Sequence, residues 1–266
     1  MKRCLLIVLL VAAACMVAGA QRASATGAET SVYQVWFERG GKLWLTKRVQ
    51  PQTASPARAA VQALLAGPSI AEADAGVHSL VPDGTGLLGL SLADGTATVD
   101  LSSPFGAGGG PASVHMRLAQ LTYTLTQFAT IDRVVLEVNG RAVSTLSGDG
   151  VPVPRPMTRA RFAALLPAIS VWNPAIGSHL AGSVRVTGTA DVFEASLHVR
   201  IVDQRGVVIA RANVQASCGT GCRGGYTVLV PYTVSATQLG TVIVSDDDAD
   251  GNGVPQHQGR VPVVLT

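Results

Sequence analysis

The sequence is poor in charged and aromatic residues, which make up 14% and 5% of its 266 residues. The formal net charge is only +3, and the basic residues are scattered, so no stretch offers the basic surface that follows a phosphate backbone. We therefore expect no binding to nucleic acid. With 47% hydrophobic residues, the chain can build one large or two ordinary domains, and we expect two.

Common catalytic signatures such as G-x-S-x-G and H-E-x-x-H are also missing. The polar residues available for chemistry in the first half are His78, His115, Asp83, Asp94 and Asp100, and none stands at the spacing of a nucleophile or metal set. Aspartate beside glycine is typical of tight turns, and an isolated histidine usually has a structural role. We expect no enzyme and no cofactor; an envelope hydrolase assembled from distant residues is the least favoured alternative.

The one long apolar run is at the N-terminus. Lys2 and Arg3 precede apolar residues 4–17, and small residues follow at 18–20. This order is typical of a secretory signal peptide with an A-x-A cleavage site. Residues 1–20 are therefore predicted to be removed, and the remainder to be secreted or to lie in the extracytoplasmic cell envelope.

Two alternatives remain for this leader. It could stay as a membrane anchor, but the run is shorter than the roughly 20 apolar residues that span a bilayer. A lipid could be attached to Cys15, but Val11 stands one place too far from it for a good bacterial lipobox. Contact with a membrane is expected only through such an N-terminal anchor.

A β-hairpin is predicted at the start of the folded part. Residues 31–37 and 43–49 are rich in strand-forming residues and flank a glycine pair. Trp36 and Trp44 lie in these strands. Cross-strand packing is the favoured role for them, and an aromatic binding patch is the alternative.

Two helices are predicted after the hairpin. Ser55 and Pro56 open the first, and Gly67 and Pro68 end it. The second is capped by Ser113 and has one continuous apolar face, made by Val114, Leu118, Leu121, Leu125 and Phe128. Its opposite face carries Arg117, Gln120, Thr124 and Gln127, which form no reactive constellation, so the helix is predicted to pack rather than to react.

Several separated motifs of this region resemble the GerMN-type domain of sporulation and spore germination. They are Leu64-Leu65-Ala66-Gly67-Pro68, Glu72, Gly76, Val81-Pro82-Asp83-Gly84-Thr85, the second helix, and Arg159-x-Arg161-Phe162. Strands at 87–92, 96–101 and 132–138 fit the same pattern. The resemblance implies an α+β domain in which a small mixed sheet packs with two helices, and a role similar to that of the modules that assemble sporulation channels.

The second half is predicted to be an antiparallel β-sandwich. Seven short strand patterns follow one another without an intervening helix, at 169–172, 183–190, 195–202, 207–214, 226–232, 241–245 and 260–265. Val171-Trp172-Asn173-Pro174, Phe193-Glu194 and Pro231-Tyr232 resemble the immunoglobulin-like domain of bacterial spore germination. That domain often follows a GerMN-type domain, so the order strengthens both resemblances.

Cys218 and Cys222 enclose a short glycine-rich turn. In a secreted chain this spacing favours a local disulfide over a metal site or a redox pair. Closing so short a loop removes chain entropy worth roughly 2 kcal/mol. The bond is therefore expected to fix a turn more than to hold the domain together.

Asp246, Asp248 and Asp250 match the opening of a D-x-D-x-D-G calcium loop. The twelfth position, which should hold a bidentate glutamate, is His257. A calcium site with borrowed ligands is possible on this pattern, but a solvated acidic turn is favoured.

The expected organisation begins with a signal peptide at 1–20 and a disordered tether at 21–30. A GerMN-type α+β domain follows at 31–162, then a linker at 163–168 and an immunoglobulin-like all-β domain at 169–266. The expected function is non-enzymatic assembly or protein–protein contact in the cell envelope, through self-association or other envelope proteins, in sporulation or germination. The alternative is a module that binds cell-wall glycan through the Trp36/Trp44 hairpin or the sandwich loops.

Overall fold

The computed structural model describes residues 29–148, 150–247 and 254–266. The predicted signal peptide, with Cys15, lies outside the described residues, and so does nearly all of the predicted tether. Thr30, which was assigned to that tether, already belongs to the first strand. Within the described part, no helix is long and apolar enough to cross a membrane.

The first half is an α+β domain, as predicted. Its strands are β1 (Thr30–Arg39), β2 (Lys42–Pro51), β3 (Leu87–Ala93), β4 (Thr96–Leu101), β5 (Arg133–Val138), β6 (Arg141–Ala142), β7 (Thr145–Leu146) and β8 (Val151–Pro152). Its helices are α1 (Pro56–Leu65), α2 (Ile70–Asp74) and α3 (Pro111–Leu125), with 3-10 turns at Ser103–Gly106 and Arg159–Leu165. The sheet order is β3-β4-β5-β6, with β4 and β5 parallel, so the mixed sheet is confirmed.

Helix α3 begins earlier than the sequence pattern indicates. Gly110 occupies the N-cap position and Pro111 the first turn, so Ser113 lies inside the helix and does not cap it. Proline at the first helical position has its missing N–H where no intrahelical bond is needed. The predicted apolar face is confirmed, because Val114, Leu118 and its other members within the helix are fully buried.

The polar residues within α3, Arg117, Gln120 and Thr124, are buried too. Thr124 Oγ1 accepts from Trp36 N at 3.1 Å, and Gln120 links Leu80 N to Trp36 O. Just after the helix, the side chain of the half-buried Gln127 bonds the backbone of Gln34. These side chains therefore pair with the free backbone groups along the edge of β1, where a further strand would otherwise be needed.

The second half is a β-sandwich, as predicted. Its strands are β9 (Ile169–Asn173), β10 (His179–Leu180), β11 (Ser183–Ala190), β12 (Ser196–Asp203), β13 (Val208–Gln215), β14 (Gly224–Pro231), β15 (Gln238–Ser245) and β16 (Gln258–Leu265), with a 3-10 turn at Phe193–Ala195. One sheet has the order β14-β11-β9 and the other β10-β16-β15-β12-β13. The pairing is antiparallel except between the short β10 and β16.

The two domains share one continuous hydrophobic core. A polar contact also joins them, since Arg39 Nη1 donates to Arg260 O at 2.7 Å. Arg223 Nη2 of the second domain donates to Pro167 O of the linker at 2.8 Å. Lys42 Nζ donates to Ala164 O at 2.9 Å, next to the junction. Strand β2 lies beside β9, and a cleft remains between the domains.

Candidate functional site

The polar residues considered for catalysis are not brought together. The His115 ring packs against Phe162 at 4.9 Å between centroids, and His78 pairs with Glu38 through its backbone. Asp94 lies in a turn with φ of 49°, and Asp100 accepts a hydrogen bond from Gly140 N at 2.9 Å. In the part of the chain that the structure describes, no three His, Cys, Asp or Glu side chains could hold a metal ion.

Trp36 and Trp44 do not form a common patch. Trp36 lies opposite Leu45 in the hairpin register, and Trp44 opposite Phe37. Since neighbouring residues of a strand point to opposite faces, the two indoles lie on opposite sides of the hairpin. The predicted cross-strand packing is confirmed for Trp44, which lies opposite Phe37 and beneath the guanidinium of Arg39 on the partner strand, whereas Trp36 packs on Tyr123 of α3.

A cleft of about 430 Å³ lies on the Trp36 side, between the two domains. It is lined by three aromatic residues, two arginines and polar side chains; those used below are Trp36, Tyr123, Arg159, Trp172, Arg223 and Gln34. The hairpin, α3 and the 3-10 turn Arg159–Leu165 supply one wall, and β9, β11 and the segment before β14 the other. We call this the interdomain cleft.

Arg159 is held against the aromatic wall. Its Cζ lies 4.7 Å from the Tyr123 ring centroid and 5.9 Å from that of Trp36. Nε donates to Thr126 Oγ1 at 2.8 Å, and Nη2 donates to Tyr123 O at 3.2 Å. Burial lowers the pKa of Arg159 from its usual value, while Tyr123 acts to raise it.

Arg223 occupies the opposite wall. Its Nη2 bond to Pro167 O is joined by a long contact of 3.4 Å from Nη1 to Thr189 Oγ1. Burial lowers the pKa of this guanidinium, and Asp191 and Tyr123 oppose the shift. Among the described residues, neither Arg223 nor Arg159 has a carboxylate within salt-bridge distance.

The outer edge of β3 is a second candidate surface. β3 ends its sheet, and no other strand pairs with that edge in the described ranges. Leu88 and Leu92 are 54% and 51% exposed. Leu90 and Leu92 line a shallow groove of about 170 Å³ beside α1, with Phe128 and Ile131 on its other side. We call this surface the β3 edge.

The disulfide between Cys218 and Cys222 is present, with Cα atoms 5.5 Å apart. Its turn packs closely on the neighbouring chain: Thr220 N donates to Val192 O at 3.0 Å, and Gly221 N to Asp191 Oδ1 at 2.8 Å. The bond therefore fixes a turn, as expected.

Of the predicted calcium loop, Asp248 and Asp250 lie outside the described residues. Asp246 is buried, and both of its carboxylate oxygens accept hydrogen bonds from His257: Oδ1 from the backbone N at 2.8 Å, and Oδ2 from Nδ1 at 2.6 Å. The choice between the favoured acidic turn and a calcium site is not tested by these residues.

Sequence reasoning did not find the interdomain cleft. In the sequence, Arg159 and Trp172 belong to family motifs and Trp36 to a strand pattern, but Arg223 has no local signal. The cleft residues come from distant segments of the chain and meet only in the tertiary structure.

Residues 24–144 match the family model described as sporulation and spore germination, and residues 168–252 match that of the immunoglobulin-like domain of bacterial spore germination. The structure is similar to the first GerMN domain of the sporulation protein GerM from Bacillus subtilis, with 23% identity and a TM-score of 0.43, over 49% of this chain and 99% of that one. It is also similar to the tandem GerMN domains of GerM, with 17% identity and a TM-score of 0.44; the match covers 89% of this chain and 61% of that one. No curated protein matches the sequence.

Proposed function

Because this chain carries a GerMN-type domain of sporulation and spore germination followed by an immunoglobulin-like domain of bacterial spore germination, we propose that it is an extracytoplasmic protein of the cell envelope that works by protein–protein contact rather than by catalysis. Its partner is a second copy or another envelope protein. The observation that carries this proposal is the β3 edge.

An unpaired strand edge presents free N–H and C=O groups to any extended segment that approaches it. Soluble proteins usually protect such edges with charged residues, proline or bulges. β3 reads LLGLSLA and has neither charge nor proline; its one irregularity is a register shift between Leu87 and Gly89. The adjoining groove adds apolar area, so a strand docked on this edge would gain both backbone hydrogen bonds and side-chain burial.

The envelope location is supported by the predicted leader and by the disulfide. Disulfides persist in oxidising compartments outside the cytosol, and Cys218–Cys222 is formed in the described part of the chain. Fractionation of a C-terminally tagged protein tests the location: we expect the tag outside the cytoplasm, and recovery only in the cytosol would contradict it.

Crosslinking in living cells tests the contact function. The tagged full-length protein would be crosslinked, captured and identified together with its bound proteins by mass spectrometry. We expect recurrent links to itself or to other envelope proteins, and their loss in an L88K/L92K variant. The matched control is L229K/L239K, which changes two exposed leucines of the second domain.

Equal melting temperatures of the two variants would show that folding is not the cause of any difference. If the crosslinks persist unchanged in L88K/L92K, the β3 edge is not the contact surface. Absence of protein links in the wild type would contradict the contact function itself.

A further inference from the structure

We infer that the interdomain cleft binds an acidic sugar, with Arg159 and Arg223 pairing with its anionic group and Trp172 contacting its ring. This site lies apart from the β3 edge and does not depend on it. The inference rests on the charges, the unpaired guanidinium donors and the half-buried Trp172 of the cleft.

The charge of the cleft is one-sided. Arg159 and Arg223 lie in its two walls, and no Asp or Glu is among the lining residues. Burial lowers the pKa of both guanidiniums, and although Asp191 opposes the shift at Arg223, neither guanidinium has a carboxylate within salt-bridge distance in the described part of the chain. Arginine remains charged in proteins, so an anion between the two walls would replace the missing hydration.

Guanidinium donors in the cleft also lack acceptors. Arg159 Nη1 and Arg223 Nε make no hydrogen bond within the described ranges. The site therefore offers an excess of donors, which matches a ligand rich in oxygen acceptors.

Trp172 provides an aromatic contact for a ring. Trp36 and Tyr123 are each only 3% exposed and carry the Arg159 guanidinium, so they position Arg159, whereas Trp172 is half-buried and lines the other wall of the cleft. The apolar face of a pyranose is complementary to such an indole, while its hydroxyls can pair with the Gln34 amide. The cleft volume of about 430 Å³ is in the range of small-molecule sites and suits one or two sugar rings.

Tryptophan fluorescence provides the test, since two of the three tryptophans line the cleft. The full chain without its leader would be titrated with N-acetylmuramic acid and glucuronic acid as carboxylate sugars, with glucose 6-phosphate as a phosphate sugar, and with neutral N-acetylglucosamine. We expect saturable binding of at least one acidic sugar, at least tenfold tighter than that of the neutral sugar and weakened by salt. Whether carboxylate or phosphate sugars bind identifies the anion.

The variant that tests the residues is Arg223→Gln, with Arg185→Gln as a control that removes the same charge from an exposed position of β11. We expect the first to weaken binding about tenfold or more and the second to leave it unchanged. Arg223→Lys keeps the charge but loses the planar guanidinium, so its affinity should lie between those of the two Gln variants. This graded result would distinguish a loss of binding from a loss of folding. No saturable signal, equal binding of the neutral sugar, or equal affinities of the two Gln variants would overturn the inference.

Discussion

Arg48 and Glu72 form a two-point ion pair. Arg48 Nη1 lies 2.8 Å from Glu72 Oε1, and Nη2 lies 2.6 Å from Oε2. The same carboxylate accepts from Ser69 N at 2.8 Å and closes the capping box of α2. One buried glutamate thus starts a short helix and ties it to strand β2.

Replacing Glu72 by glutamine should destabilise the first domain. The amide would leave the Arg48 guanidinium without its counter-charge in a largely buried place and would weaken the capping box, so we expect the free energy of unfolding to fall by about 2–3 kcal/mol. Urea unfolding measures this. Asp74→Asn, on the exposed side of the same helix, is the control and should change stability by less than about 0.5 kcal/mol. Equal losses in both variants would show that the ion pair is not responsible.

Arg117 is the second residue whose loss should be costly. It is 2% exposed and donates to the carbonyls of Leu80, Phe105, Ala107 and Gly108, at 2.6–3.2 Å. Lysine has one donor group and cannot reach all four, so buried acceptors would remain unpaired. We expect Arg117→Lys to lower the free energy of unfolding by about 2–3 kcal/mol.

The control for Arg117 is Arg161→Lys, since Arg161 is exposed and makes no side-chain hydrogen bond in the described part of the chain. Guanidinium unfolding of both variants gives the comparison. If Arg117→Lys is as stable as Arg161→Lys, the four carbonyls must be satisfied in another way.

Elements with a long regular pattern could be predicted from the sequence. Strand β11 has the predicted bounds, Ser183–Ala190, because its alternation of buried and exposed residues persists over eight residues. Helix α3 was found from its apolar face for the same reason. Helix α2 could not be predicted from periodicity because it has only five residues. Ser69 and Glu72 do match the sequence pattern of a capping box, which was the available signal for this helix.

The functional surfaces were harder to predict, because they depend on tertiary contacts. The alternation that places Trp36 in a strand does not say that Arg159 will stack near it, or that Arg223 will face both across a domain junction. Similarly, the polar face of α3 reads as solvated in isolation and is buried only because β1 lies against it.

His198 should give the second domain a pH-dependent stability. A hydrogen bond to Asp247 raises its pKa, a second to Asn213 adds to this, and burial and Arg200 oppose it. A raised pKa in the folded state means that the stabilisation is complete below the unfolded value of about 6.5 and is lost as the pH rises through the folded value. We therefore expect His198→Gln to lose more stability, relative to wild type, at pH 5.5 than at pH 8.5.

Two measurements check the His198 prediction. NMR titration should place the His198 imidazole above the usual histidine range, and urea unfolding at the two pH values should show the difference. His179→Gln, at an exposed histidine of β10, is the control. A loss of the same size at both pH values would mean that His198 contributes through packing and not through its charge.

The loop after β15 allows a prediction about calcium. Both Asp246 oxygens already accept hydrogen bonds from His257, so a metal ion would have to displace both of these bonds. We expect the melting temperature to be the same in calcium and in chelator. We also expect Asp246→Asn to lower the free energy of unfolding by about 1–2 kcal/mol in both conditions, with the exposed Glu194→Gln as a neutral control. A rise in melting temperature with calcium that chelator reverses, and that Asp246→Asn abolishes, would instead show that Asp246 leaves His257 to bind a metal ion.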